Sequence, residues 1–425
     1  MSKTKNDVAW EKLFEKHNIL QEIKSYGYYR ISSSSINAYR QARLMAKFDY
    51  SSQLPKVFTD NNLTILPVTR GEYMISHFQI FHEFNTSNLQ IKKFPFPHYI
   101  KSIDYSNITS ESTALNCAYT SGMLEDFLDD TKVKPTVSGR MGSKDFSFKI
   151  KNLNSTMQVD VKNSQIEIDG GYEGRRFLSL IEAKNVLSED FLIRQIYYPF
   201  RLWENRIDKA IKNIFLTYSN GIFHFREYAF NDVNYYNSLK LVKEMKYVIA
   251  DQKVCLDTIQ DILSSVSIID EPSNIPFPQA DSFERIINLC ESLNKEIELS
   301  KDDLTEKYAF TARQTDYYTN ATRYLGLVKK CTDQKNETVY KLTDKGNRLF
   351  EIDIYTRQIE FIKRILAHYV FNMTLKHYFE NNQNLPNKEK IVSFMRENNI
   401  EYSQDTLQRR AKTVLSWIEW ILQQS

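Results

Sequence analysis

The sequence predicts a multidomain protein of mixed α+β and α/β class, in which a mixed sheet flanked by helices is followed by helical units. Three observations point there. Residues 146–228 alternate apolar and polar positions in short runs, broken by a helix pattern. Residues 271–280, EPSNIPFPQA, hold three prolines and no period. Beyond them the apolar spacing is helical almost to the end, and the segments open on capping residues. A chain of 425 residues suits roughly two to four domains. The expected division is an N-terminal α+β domain at 1–120, a sheet domain at 121–270, a helix-and-hairpin domain at 271–350 and a helical domain at 351–425.

Composition narrows the class. Glycine (11) and proline (10) are too scarce for a fibrous or low-complexity protein. A net charge of +3 does not by itself mark a nucleic-acid binder, so local clustering must carry that case. Cys117, Cys255, Cys290 and Cys331 form no paired-cysteine clip, which argues against a zinc site or a disulfide framework. The charged start MSKTKND is no signal peptide, and no apolar run reaches the ~18 residues of a membrane span, so a cytoplasmic protein is expected.

In chain order, residues 63–75 read as two strands about a Pro67/Gly71 turn. MLEDFLDD (123–130) reads as a short helix, and 133–143 as a loop. Residues 146–150, 157–161 and 165–169 alternate as strands, with Lys162–Ser164 as a hairpin turn between the last two. Gly170, Gly171 and Gly174 form the next turn, and 177–184 is a further strand. Ser188 caps a helix to about Ile207, which Pro199 should end or kink. Asn220-Gly221 turns a last hairpin.

After the proline-rich segment, taken as a domain linker, the stripe Phe283, Ile286, Ile287, Cys290, Leu293 and Ile297 predicts a helix. Ser300 caps a second, and the Thr311/Gln314 capping box opens a third that stops at Gly326. Residues 327–328 and 339–342 read as strands about a 332–337 turn. A long helix at 355–381 and helices capped by Asn387 and Ser403 complete the chain.

The chemistry concentrates in QIEID (165–169) and EAK (182–184). Alternation puts Glu167 and Asp169 on one face of the first strand, and Glu182 and Lys184 on one face of the second. A hairpin between them brings Asp169, Glu182 and Lys184 to one sheet edge. Metal-assisted phosphodiester hydrolysis needs this set: carboxylates hold Mg²⁺ through hard oxygens, and a lysine offsets charge on the phosphate.

The Asp169 and Glu182-Ala-Lys184 motif resembles the PD-(D/E)XK nuclease superfamily, with Ile168 where the family often has proline. The helix after it, carrying Arg194-Gln195 through Arg201, resembles the one beside the site in restriction-type and RecB-like members, and places Gln195 near the metal or phosphate. The resemblance implies Asp169 and Glu182 as metal ligands and a further acid on a preceding helix, for which Glu125 is the candidate, with Glu167 and Glu173 behind it.

The third C-terminal helix carries Arg313, Asp316, Thr319, Asn320 and Arg323 on one face, a pattern suited to reading a DNA major groove. In the last helix Gln408, Arg409 and Lys412 play a similar part with Arg410 and Thr413 flanking, and the Arg409-Arg410 pair suits phosphates. The phrases 313–327 and LTDKG (342–346) look like the C-terminal winged-helix module of bacterial type II restriction endonucleases. ILPVTRGEY (65–73) looks like their leading domain, where Arg70 would be a further DNA-contacting candidate. That family implies Mg²⁺-dependent cleavage of double-stranded DNA, a cognate methyltransferase acting on the same site, and a homodimer as one option. Two other readings stay open: a DNA-binding regulator with a degenerate nuclease scaffold, and a repair-type nuclease without sequence preference.

Overall fold

The computed structural model describes residues 4–84, 89–153, 155–249, 254–307, 310–333 and 336–424. It is a mixed α/β protein that divides into two compact units, residues 1–92, 110–218 and 222–247 forming one, and 93–109, 219–221 and 248–425 the other.

The first unit is organised by a seven-stranded mixed sheet, whose strands we number β1 (Ile91–Phe94), β2 (Lys134–Gly142), β3 (Gln165–Glu173), β4 (Phe177–Lys184), β5 (Ala210–Ser219), β6 (Ile222–Phe230) and β7 (Leu239–Ile249). Their order is β1-β7-β6-β5-β4-β3-β2. β4 pairs antiparallel with β3 and parallel with β5. The Arg194–Trp203 helix lies in the crossover that the parallel pair requires. β4 is buried along both faces between its ends, as a central strand with parallel pairing must be. Leu178 and Leu180 of β4 cluster with Ile168 of β3, and a larger aromatic-rich core in the same unit includes Phe148, Phe191, Tyr197, Tyr198, Phe215 and Tyr236. A separate N-terminal core gathers Trp10, Leu13, Phe14 and Phe58. Beside that core, Glu72–Ser76 lies between Tyr29–Ser32 and Thr64–Pro67 in a three-stranded sheet.

Several sequence expectations change here. The 133–143 loop is strand β2, whose polar, exposed residues hide a sheet edge with two register shifts against β3. Lys162–Ser164 does not turn a hairpin, because Ser155–Lys162 pairs back onto Asp145–Asn152 in its own two-stranded sheet. Gly170 and Gly171 are strand rather than turn: β3 continues to Glu173. A Cβ on Gly171 would lie 2.9 Å from the Val137 carbonyl oxygen, so glycine lets β2 approach closely. Ser188 caps no helix. Its hydroxyl donates to the Asp190 carbonyl, Asp190–Leu192 forms a short strand against Phe81–Glu83, and the helix runs only over Arg194–Trp203, with Pro199 inside it rather than at its end. The Asn220-Gly221 turn is present, both residues at positive φ, but β7 follows it as a further strand.

In the second unit the Phe283–Glu296, Lys301–Lys307 and Ala312–Tyr324 helices are joined by the Leu299–Ser300 strand and followed by the Val328–Thr332 and Thr338–Leu342 hairpin. Thr311 and Gln314 form the expected capping box. Gln334 and Lys335, in the expected 332–337 turn, lie outside the described residues. The 271–280 segment is no free linker. Phe277 and Ala280 are buried, and their carbonyls accept from Arg410 and from Trp417 Nε1. The 355–381 helix is two helices, Ile354–Leu366 and Tyr369–Glu380, parted at Ala367-His368, where His368 bridges to Ile269. The Asp344–Leu349 helix, which the sequence reading lacked, is capped by Thr343.

Candidate active site

The β3–β4 ladder runs from Glu173/Leu178 to Gly170/Ile181 and stops. Asp169 and Glu182 are the next pair. Instead of a ladder bond, the Ala183 amide donates to Asp169 Oδ2 at 2.8 Å. The carboxylate therefore occupies the cleft where the strands part. Glu182 is buried, and its Oε1 accepts from Lys184 Nζ and from Gln195 Nε2, both at 2.6 Å. Strand parity puts Glu182 and Lys184 on one side. The first turn of the Arg194–Trp203 helix supplies Gln195, a buried residue rather than a solvated one.

Two residues the sequence reading did not single out join this group. Asp49 Oδ2 lies 3.7 Å from Lys184 Nζ, and the buried Tyr50 sits in the electrostatic reach of Lys184 and Glu182. Nothing in the local pattern FDYSS marks them, because tertiary folding alone brings them here. Glu111, which opens the Glu111–Thr120 helix behind the Ser110 cap, acts electrostatically on Lys184 and Tyr50. A capped acidic helix start ahead of the sheet was the available signal. Glu125 is engaged elsewhere, accepting from the Val133 amide at 3.1 Å. Glu167 pairs with Arg140 at 3.2 Å and Glu173 with Lys209 at 2.6 Å, so neither belongs to the group.

The electrostatics are lopsided. Burial pushes the Glu182 carboxyl up to about 8; Lys184 opposes this, while Asp169 and Asp49 add to it. Burial works against charge on Lys184 as well, but Glu182 and Asp49 outweigh it and hold the ammonium well above the ordinary lysine range. Lysine is thus kept charged, and the acids around it remain under-compensated. Buried Asp49 Oδ1, Gln195 Oε1 and the Tyr50 hydroxyl have no hydrogen-bond partner. Among the described residues no group of three or more His, Cys, Asp or Glu forms a metal cage. Two carboxylates with spare acceptor oxygens nevertheless fit Mg²⁺, which binds through one or two carboxylates and keeps its remaining waters. Asp169 and Glu182 would hold it.

The expected DNA-contacting residues do not form a comparable group. On the Ala312–Tyr324 helix Thr319 is buried and donates to the Thr315 carbonyl, so it reads nothing. Asp316 pairs with Lys301 at 2.6 Å. Arg313 donates to the Tyr317 hydroxyl, and Arg323 to Asn320 Oδ1 at 2.9 Å. On the Gln404–Gln423 helix Arg410 is buried, donating to the Phe277 carbonyl with its guanidinium over the Tyr402 ring, which makes it structural. Lys412 pairs with Asp281 at 2.8 Å, and Arg409 is exposed.

Three models of domains of unknown function match the chain: DUF6996 over residues 7–75, DUF6997 over 76–248 and DUF7226 over 285–425. Asp49 and Tyr50 fall in the first and Asp169 through Gln195 in the second. No curated protein matches the chain. No solved structure matches it either.

Proposed function

We propose that the protein is a Mg²⁺-dependent endonuclease of the PD-(D/E)XK type that cuts double-stranded DNA at a defined sequence, as type II restriction enzymes do. The observation that carries this reading is Glu182, gripped by Lys184 and Gln195 and placed opposite Asp169 where β3 and β4 part. Mg²⁺ held there would polarise the phosphate and lower the pKa of a bound water. Lys184, kept charged, neutralises charge that develops on the phosphate oxygens. Gln195 fixes the Glu182 carboxylate in place. Under this reading the unit beginning at Phe283, with its helix, strand, two helices and hairpin, is a winged helix, and exposed Arg313 and half-buried Asn320 are its DNA contacts. A nuclease without sequence preference gains weight from the burial of Thr319 and Arg410, which removes two of the expected contacts.

Incubating the full chain with plasmid DNA and Mg²⁺, with a chelator control, tests this. Discrete bands that vanish with the chelator are the expected result. A smear selects the nonspecific nuclease, and intact plasmid with retained DNA binding selects a binder.

A further inference from the structure

The Asp49–Tyr50 pair is fixed by its main chain, so its side chains are not needed to hold it. Gln53 Oε1 accepts from the Asp49 and Tyr50 amides at 2.8 and 3.2 Å. The Asp49 carbonyl accepts from the Leu192 amide at 2.9 Å. The next amide, of Ser51, donates to Asp190 Oδ1 at 3.0 Å. Four hydrogen bonds thus tie this stretch to itself and to the short strand that leads into the Gln195 helix. The side chains they deliver are left unsatisfied. Asp49 sends Oδ2 towards Lys184 and leaves Oδ1 buried without a partner. Tyr50 is only 3 % exposed, and its hydroxyl also lacks a partner. Burying a hydroxyl with nothing to bond costs stability, and phenylalanine would fill the same space without that cost. A tyrosine kept under those conditions is explained by something that enters the site.

Building on the nuclease reading, we infer that this N-terminal pair completes the reaction centre. Asp49 is a positioning residue, holding the Lys184 ammonium together with Glu182, and the Tyr50 hydroxyl donates to a phosphate oxygen of the bound strand. The hydroxyl is a donor amid Asp49, Glu182 and Glu111, none of which it bonds, and a phosphodiester brings the acceptor it lacks. With no partner to lose in the free protein, Tyr50 makes a bond that strengthens as charge builds on the phosphate oxygen in the transition state, which lowers the barrier and leaves affinity little changed.

The test uses the full chain carrying Tyr50→Phe or Asp49→Asn. Three quantities are measured on one labelled duplex: single-turnover cleavage in Mg²⁺, affinity without divalent metal, and the thermal unfolding midpoint. For Tyr50→Phe the expected result is a rate lower by ~10²-fold, with affinity kept and a midpoint equal to or above wild type. Asp49→Asn should lower the rate by at least ~10-fold with affinity and midpoint kept. A wild type that cuts while both variants match its rate overturns the inference and leaves the nuclease reading standing. Variants that lose stability and rate together show a structural role and also overturn it. A wild type that leaves the duplex intact overturns the nuclease reading itself, and the inference with it.

Discussion

The parting ends of β3 and β4 and the Ala312–Tyr324 helix both carry a residue spacing that predicts a functional group, and only the strand ends assemble one. At the strand ends Asp169, Glu182, Lys184 and Gln195 meet and bond to one another or to the adjoining main chain. On the helix five residues assigned to one face are scattered: Thr319 is buried, Asp316 is tied to Lys301, Asn320 is tied to Arg323, and Arg313 is tied to Tyr317. Strand parity is a two-fold rule, and pairing to a partner strand fixes which side every residue takes. A helix offers every azimuth, and which part faces solvent depends on the elements it docks against. Thr319 sits on the margin of its apolar face, and docking places that margin inside.

The largest expected effect tests the strand side. Asp169→Ala and Glu182→Ala should each lower Mg²⁺-dependent cleavage by about 10³-fold or more while DNA affinity is kept. Cleavage near the wild-type rate in either would sink the assignment. Lys184→Ala should lower the rate by ~10²-fold with the fold intact, read by circular dichroism beside the cleavage assay.

Glu182 also carries a pH signature in metal-free protein. Its folded value of about 8 stands above the ordinary 4.5, so the folded state keeps a proton that the unfolded chain has released across that interval. The contribution to stability is complete below the ordinary value and is lost as pH rises towards the folded one. Glu182→Gln should flatten that part of the stability profile, measured as the unfolding midpoint against pH. An unchanged slope would mean that Glu182 is ionised throughout.

The helix side predicts smaller and divided effects. Arg410→Ala should cost about 1–3 kcal/mol of unfolding stability, because the Phe277 carbonyl loses its buried donor. Arg409→Ala, next to it but exposed, should leave stability alone and reduce the salt dependence of DNA binding by about one unit. Arg313→Ala and Asn320→Ala should each cost ~1–3 kcal/mol at a cognate site and relax preference at one base pair. Uniform loss on all sequences, measured with singly substituted duplexes, would make this helix a backbone clamp. Identical behaviour of Arg409→Ala and Arg410→Ala would erase the contrast between these neighbours.

Much of the fold could be read along the chain. β3, β4, β5 and β6 lie where alternation puts them, and the caps at Thr311 and Asn387 rest on side chains that bond a few residues away. What escaped were elements whose signal is not local. β2 is polar because its outer face meets solvent at a sheet edge, so it resembles a loop. The 271–280 segment resembles a linker because its prolines break every period, yet Arg410 and Trp417 arrive from far along the chain to bond its carbonyls. The long helix is broken where His368 is drawn to Ile269.

The sequence by itself determined which residues share a strand face, where most of the later helices start, and that two acids and a lysine come together from neighbouring strands, although those strands lie inside the sheet with β2 at its edge. These follow from short-range geometry: the two-residue repeat of a strand and the reach of a capping side chain. Only the tertiary structure decided which acid comes near Lys184. It chose Asp49 and Glu111 over Glu125, Glu167 and Glu173, and it put an unbonded tyrosine beside them. The physical reason is that proximity between distant segments is set by how whole layers bury their apolar faces. The Asp49 carbonyl reaches the Leu192 amide only once the core holding Phe191 and Leu192 has formed, and no periodicity near residue 49 encodes that meeting.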